Sequence, residues 1–386
     1  MAINMLNIQY YLLTFFLIFF FFSLPIPVYN KNKIILKNHN SINGVRGLLA
    51  SLVMFSHLFK DLTLYQGIKW KYDKDYYELI GWGNQALNTG KIGVAIFFMI
   101  SGYLFYRLLL KQENKLNIKN FFYNRFTRIY PLYFFAISFC TLYLLSTTQY
   151  NFDFQILEKL LSWFLFLGPY DGLRIVDMTH GVEWTLKLEI LLYISIPILF
   201  YIFSKTQNLY LRHFFIISSI VTIFIIGYIL RVYGKVYIDP RAALCFYIGY
   251  IALEIKKQKT KVLYSFFNGK FAALLSILLF ISAFFISSHN FLYFYLIFSC
   301  GFLFISLACD NNLFGLLNAQ PLQVMGEISY SIYLLHGIVL YFFINLLNYF
   351  EVKNIYILLI LIPSYFYCVY TLSTITFLQI EKRFHK

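Results

Sequence analysis

Eleven stretches of this chain are apolar over close to the length that crosses ~30 Å of hydrocarbon, which excludes most folds otherwise open to 386 residues. They run over residues 8–28, 45–63, 92–110, 129–148, 185–203, 214–232, 241–255, 271–287, 291–308, 328–349 and 355–378. The expected fold class is all-α, a polytopic transmembrane bundle of about 10–11 membrane-spanning helices. A weaker run, Leu157 to Leu167, ends at Gly168-Pro169 and is expected to be re-entrant or interfacial. The first run, Ile8 to Val28, has no basic stretch before it and no small-residue cleavage site after it. It is expected to be a retained helix rather than a leader. The chain is 60% hydrophobic and 13% charged, too little charge for a soluble domain of this length, so residues 1–386 are expected to form one integral-membrane unit.

Net charge is +15, which in a soluble chain would raise nucleic acid as a partner. Here the basic residues lie in short loops between apolar runs, so the bilayer, and not nucleic acid, is the expected partner. Residues 107–128 carry six basic residues against Glu113, and residues 254–270 carry five lysines against Glu254. Residues 149–183 instead carry Lys159 and Arg174 against five acids. This alternation puts the N-terminus outside and the C-terminus in the cytoplasm. Two loops depart from it. Residues 231–241 are external by count yet hold Arg231, Lys235 and Arg241, and residues 309–327 are cytoplasmic by count yet hold only Asp310 and Glu327. The five cysteines form no CxxC pair and mostly lie in or beside apolar runs, so neither disulfides nor a metal are expected. No internal repeat of the kind common in transporters is visible.

Ionisable residues inside hydrocarbon are costly and are candidates for function. Arg46 and His57 are eleven positions apart in one run, almost three helical turns, so both project from nearly the same face, ~16 Å apart along the axis. Arg46 then sits at the cytoplasmic boundary and His57 near the midplane, where a neutral imidazole can act as a general base. The alternative is a histidine hydrogen-bonded between helices. Asp61, one turn further, can accept the ring N–H of His57 or remain a solvated loop acid. Glu189 is expected one or two turns inside the external boundary, with Tyr193 one turn on; it orients or activates a hydroxyl, or pairs with Lys187 or an arginine. Arg125 and Arg128, just before the fourth run, suit a di- or triphosphate or simply set topology. Ser329, Tyr333 and His336 share a face, a polar stripe expected to hold helices together as far as the serine is concerned. Gly93, Ser101 and Gly102 are expected at a close helix approach or beside a ligand.

Five motifs in order give the chain a family likeness. They are Arg46-X10-His57, Gly93 through Ser101-Gly102, Arg125-X2-Arg128-Ile-Tyr-Pro131, Trp184-Thr-Leu-X2-Glu189-X3-Tyr193 and Ile328 through His336. Together they make the chain resemble the membrane acyltransferase-3 family of O-antigen acetylase type, over about residues 40–378. The resemblance implies transfer of an acyl group, usually acetyl, from cytoplasmic acyl-CoA to a hydroxyl of a surface glycan or lipid-linked sugar, in the inner or plasma membrane. It implies His57 and Glu189 as catalytic residues, and Arg46, Arg125 and Arg128 on the acetyl-CoA side. Asp61, Ser101, Trp184, Tyr193, Tyr333 and His336 are the expected supporting residues. Thr185 stands where the family has serine. The run at residues 8–28 precedes the usual start, and no soluble SGNH-type domain is expected after the last helix. Competing readings are a transporter or flippase of a lipid-linked glycan, an accessory or sensing protein with a degenerate site, and an acyltransferase with a non-glycan acceptor.

Overall fold

The computed structural model describes residues 40–65, 83–111, 117–147, 154–166, 175–205, 208–233, 241–258, 261–286, 292–352 and 354–384. The expected span at residues 8–28 and the Gly168-Pro169 pair lie outside these. The fold is an all-α bundle, with no strand among the described residues. The other ten apolar runs are all helical. They form α1 (Ser41–Tyr65), α2 (Gly83–Lys111), α3 (Ile118–Thr147), α6 (Glu183–Lys205), α7 (Leu209–Tyr233), α8 (Arg241–Lys257), α10 (Lys270–Phe285), α11 (Leu292–Ala308), α13 (Ser329–Tyr349) and α14 (Ile355–Thr376). Short helices lie between them: α4 (Phe154–Phe164), α5 (Ile175–Thr179), α9 (Val262–Asn268) and α12 (Gln320–Glu327). A π-helical turn, Phe377–Glu381, continues α14. The weak run is α4, 11 residues long and too short to cross.

Six helices among the described residues are long and apolar enough to span a membrane, or seven if α9 and α10, bent by 63° at Gly269, count as one. Together with the charge pattern this makes the chain an integral membrane protein. Helices α8 and α11 have 17 residues each, about 25 Å of rise and at the lower limit for a crossing.

Helices α1 and α2 form the centre. Their span windows are 78% and 72% buried, against 39% for α6. α1 packs on α2, α12 and α13, and α2 packs in turn on α8. Without a hydrophobic force between helices in lipid, close packing supplies the attraction, and small residues permit it. A Cβ on Gly102 would lie 2.4 Å from the Phe246 carbonyl oxygen, and one on Gly249 would lie 2.3 Å from that of Met99. The close approach expected at Gly102 is therefore the crossing of α2 and α8. Phe214, Ile217, Val221 and Ile225 on α7 point outward, an apolar face suited to hydrocarbon. All five cysteines are free, and only Cys368 is exposed.

The first turn of α1 is tied to α12. Asn43 Nδ2 donates to the Gln323 carbonyl at 2.8 Å, and Gln323 Nε2 donates back to the Asn40 carbonyl at 2.9 Å. That lock sets the rotation of α1, and with it the direction of Arg46 and His57. At the other end of the bundle, a tight turn joins α5 to α6, with His180 and Gly181 both at positive φ (56° and 69°).

Candidate active site

Arg46 of α1, Arg125 and Arg128 of α3 and Glu189 of α6 line one cavity with Ser101 and Tyr333. α3 begins at Ile118, so Arg125 and Arg128 are seven and ten residues inside it rather than ahead of the span. One helical turn apart, they enter the bundle from the same face. The Arg125 guanidinium carbon lies 5.2 Å from the Phe105 ring centre and 5.9 Å from that of Phe121. These rings hold the cation by its face, while its buried Nε has no hydrogen-bond partner. The electrostatic neighbours of Arg46 are Arg128, Glu327, Glu381 and Glu189. Glu381, in the π-helical turn, accepts a hydrogen bond from Ser331 of α13.

Glu189 has Arg46 and Arg125 as electrostatic neighbours and accepts two hydrogen bonds. Its Oε1 accepts from Ser101 Oγ at 3.0 Å and its Oε2 from Tyr193 OH at 2.9 Å. Glu189 lines the arginine cavity, which His57 does not. It is six residues past Glu183, about 9 Å along α6 from the start of that helix.

Further along α1, His57 meets α13. His57 Nδ1 and His336 Nε2 are 2.9 Å apart, and His336 Nδ1 lies 3.1 Å from the Ile332 carbonyl. A carbonyl only accepts, so His336 carries its proton on Nδ1 and, when neutral, accepts at Nε2. His57 is then the donor through Nδ1–H, which leaves the lone pair on its Nε2. His336 is fully buried, whereas His57 keeps partial exposure. The Tyr333 ring, which lines the arginine cavity, is 6.2 Å from the His336 ring and hydrogen-bonds Thr185 at 2.9 Å. The arginine cavity and the histidines are thus neighbours through one turn of α13.

A third histidine completes the cluster. His180 stacks on His57 with ring centres 5.4 Å apart and planes 24° apart, and its Nε2 is 2.6 Å from Asp61 Oδ2. Of the two readings of Asp61, orienter of His57 or solvated loop acid, the structure shows neither: Asp61 holds His180. His57 has its Nδ1 engaged across the helix interface, and the turn before α6 brings the His180 ring to Asp61 first. Near-parallel rings send their in-plane lone pairs along separate lines, and among the described residues no group has metal-holding geometry.

A family model described as an acyltransferase domain, that of acyltransferase family 3, matches residues 39–378. The chain belongs to the acyltransferase-3 family. Among curated proteins it is similar to Nodulation protein 10 of Rhizobium leguminosarum bv. viciae, 29% identical over 187 residues. That match covers 44% of this chain and 47% of the relative, so the chain spans less than half of the length of the curated protein it matches. No solved structure matches.

The match in this acyltransferase-3 chain runs from just before α1 to just past α14, so it takes in both groups of side chains. Of the motif residues, Arg46, Ser101, Arg125, Arg128, Glu189, Tyr193 and Tyr333 converge on the cavity, while His57 and His336 meet one turn of α13 beyond Tyr333. Trp184 does neither and packs edge-on against Phe98, with ring centres 5.9 Å apart. Ser329, expected to pack, lines the cavity with a buried hydroxyl that has no hydrogen-bond partner. Sequence reasoning missed His180, Ser331 and Glu381. His180 sits in a turn with no periodicity to reveal its direction. The one signal for it was a His-Gly pair just ahead of the Trp184 motif.

Proposed function

We propose that this protein is a membrane-embedded O-acyltransferase that moves an acetyl group from acetyl-CoA at the cytoplasmic face to a hydroxyl of a surface glycan, such as O-antigen, capsule or exopolysaccharide. The observation that carries the reading is the hydrogen-bond chain from His57 through His336 to the Ile332 carbonyl, which leaves His57 Nε2 as the basic atom beside a cavity lined by three arginines. An acceptor hydroxyl gives its proton to Nε2 as its oxygen attacks the thioester carbonyl carbon. The C–S bond breaks, the thiolate leaves with CoA, and the imidazolium returns the proton to it. His336 receives the Nδ1–H hydrogen bond throughout, so the base keeps one tautomer. Arg46, Arg125 and Arg128 bind the donor phosphates, for which guanidinium forks are suited. Glu189 offsets part of that positive charge and fixes the Ser101 and Tyr193 hydroxyls on the cavity wall.

The family supports an acyl donor and an acceptor. The test is NMR of surface polysaccharide from cells with and without the gene. An O-acetyl signal that is lost on deletion, restored by the wild-type gene and not restored by His57→Ala at equal membrane levels is the expected result. Full restoration by His57→Ala would overturn the role given to that histidine. An unchanged signal on deletion would overturn the glycan acceptor.

A further inference from the structure

We propose that Asp61 and His180 form the acceptor subsite: Asp61 accepts a hydrogen bond from a second hydroxyl of the acceptor, and His180 holds Asp61 in place against His57. The inference rests on the acyl-transfer reading above and adds to it the side chains that hold the acceptor by a second hydroxyl.

His180 sits where it does at two separate costs. It holds a left-handed backbone conformation, φ 56°, which a non-glycine residue adopts only when its surroundings impose it. Its Nδ1 is also buried with no hydrogen-bond partner. The surroundings that impose this are specific. Thr179 Oγ1 donates to Glu183 Oε2 at 3.0 Å and accepts from the Gly181 N–H at 3.3 Å, which braces the turn. Across the interface stands Gly337, where a Cβ would lie 2.8 Å from the Thr179 carbonyl and 2.9 Å from His180 Nδ1. A glycine on α13 therefore lets the turn press the His180 ring onto that of His57. Strain and an unpaired nitrogen concentrated on one residue mark a side chain that is placed, not one that fills space.

Access points the same way. His336, behind His57, is fully buried, but His57, His180 and Asp61 all keep partial exposure, with side-chain exposures of 9% for His180 and 18% for Asp61. The partial exposure of the histidine stack thus lies on the side of Asp61 and His180, away from the fully buried His336. A carboxylate offers about four lone-pair directions, and the contact with His180 uses one, so Asp61 retains acceptor capacity for hydroxyls. Asp61 lies one helical turn beyond His57 on α1, so a hydroxyl held by Asp61 leaves its neighbours on the same molecule beside His57 Nε2. A mono-alcohol would make only one of these contacts.

The test uses the full-length protein in detergent, acetyl-CoA as donor and, as titrated acceptor, polysaccharide from the source cells stripped of its esters with mild alkali. Asp61→Asn keeps an oxygen for His180 but removes the charge, and His180→Ala removes the holder. Each is expected to raise the KM for the stripped polysaccharide by about tenfold or more, the loss of one hydrogen bond to a charged group. The KM for acetyl-CoA is expected to stay at the wild-type value, because the donor binds at the other end. His180→Gln, whose amide can donate to Asp61, is expected to recover most of the loss. Unchanged acceptor KM in Asp61→Asn would overturn the proposal, and so would a parallel rise in both KM values, the mark of a merely structural role. If His180→Ala is not recovered folded, Asp61→Asn decides. Wild-type protein that forms no ester would overturn the acyl-transfer reading and this inference with it, a result distinct from either of those.

Discussion

At the residue scale, a single proton position carries the proposed chemistry. His336 presents Nε2 to His57 because its Nδ1 faces the Ile332 carbonyl one helical turn back. His336→Phe would keep the volume and lose that acceptor, so His57 would no longer be held in one tautomer. The rate of acetyl transfer is expected to fall about 10²-fold, the lower range for misdirected acid–base groups, with the KM for acetyl-CoA unchanged in steady-state assays. The same lone pair on His57 could accept the acetyl group itself. Rapid-quench labelling with radioactive acetyl-CoA and no acceptor separates the two routes, and the general-base route gives no labelled protein. Glu189 belongs to stability as well as to the site. Glu189→Ala would leave the Ser101 and Tyr193 hydroxyls without their acceptor, at about 1–3 kcal/mol for the buried Tyr193. A lower thermal midpoint in detergent is expected, with Glu189→Gln, which retains an acceptor oxygen, less affected. The roles tested here fall on residues that the sequence singled out. Their partners were not legible, because i, i+4 spacing names the same-helix neighbour of His57, Asp61, while the bond went to a histidine 279 positions away.

At the element scale, the crossing of α2 and α8 is the most sensitive to side-chain size. Gly102→Val would drive a side chain into the Phe246 carbonyl, and overpacking of this kind costs about 1–3 kcal/mol. Lower yield of folded protein and an earlier thermal transition are expected. Because Ser101 precedes Gly102 on α2, a shift there also moves the hydroxyl that Glu189 accepts from. α3 supplies two of the three arginines from one face. Arg125→Ala and Arg128→Ala are each expected to raise the KM for acetyl-CoA about tenfold, consistent with losing one charge-assisted contact, while acceptor KM stays constant. Helix existence was legible in the apolar runs. Helix ends were not, since α3 starts 11 residues before its apolar run and carries its arginines into the bundle. Polar residues in the first turns of a helix look like loop to any hydropathy window, but a neighbouring helix can bury them.

At the scale of the whole molecule, the bundle has two unlike ends. Arg46, Arg125, Arg128 and Glu381 gather at one, and Asp61, His180 and Glu183 at the other. The loop charges predict that the first end faces the cytoplasm. Cysteine placed at exposed Lys60, in a Cys368→Ser background, is expected to react with a membrane-impermeant maleimide in cells whose membranes are intact. Cysteine at exposed Arg383 is expected to react only after those membranes are opened. The reverse pattern would invert the donor and acceptor ends. The sequence by itself determined that this chain is helical and embedded in a membrane, and which residues share a helical face, because hydropathy and the 3.6-residue period are local properties. Tertiary structure alone decided that His57 meets His336, that Asp61 goes to His180 and that Glu189 joins the arginines. Each of those contacts joins different helices, or a helix and a distant turn. Their register is set by where glycines let backbones approach and by hydrogen bonds such as the one from Asn43 to Gln323, neither of which leaves a periodic trace in the chain.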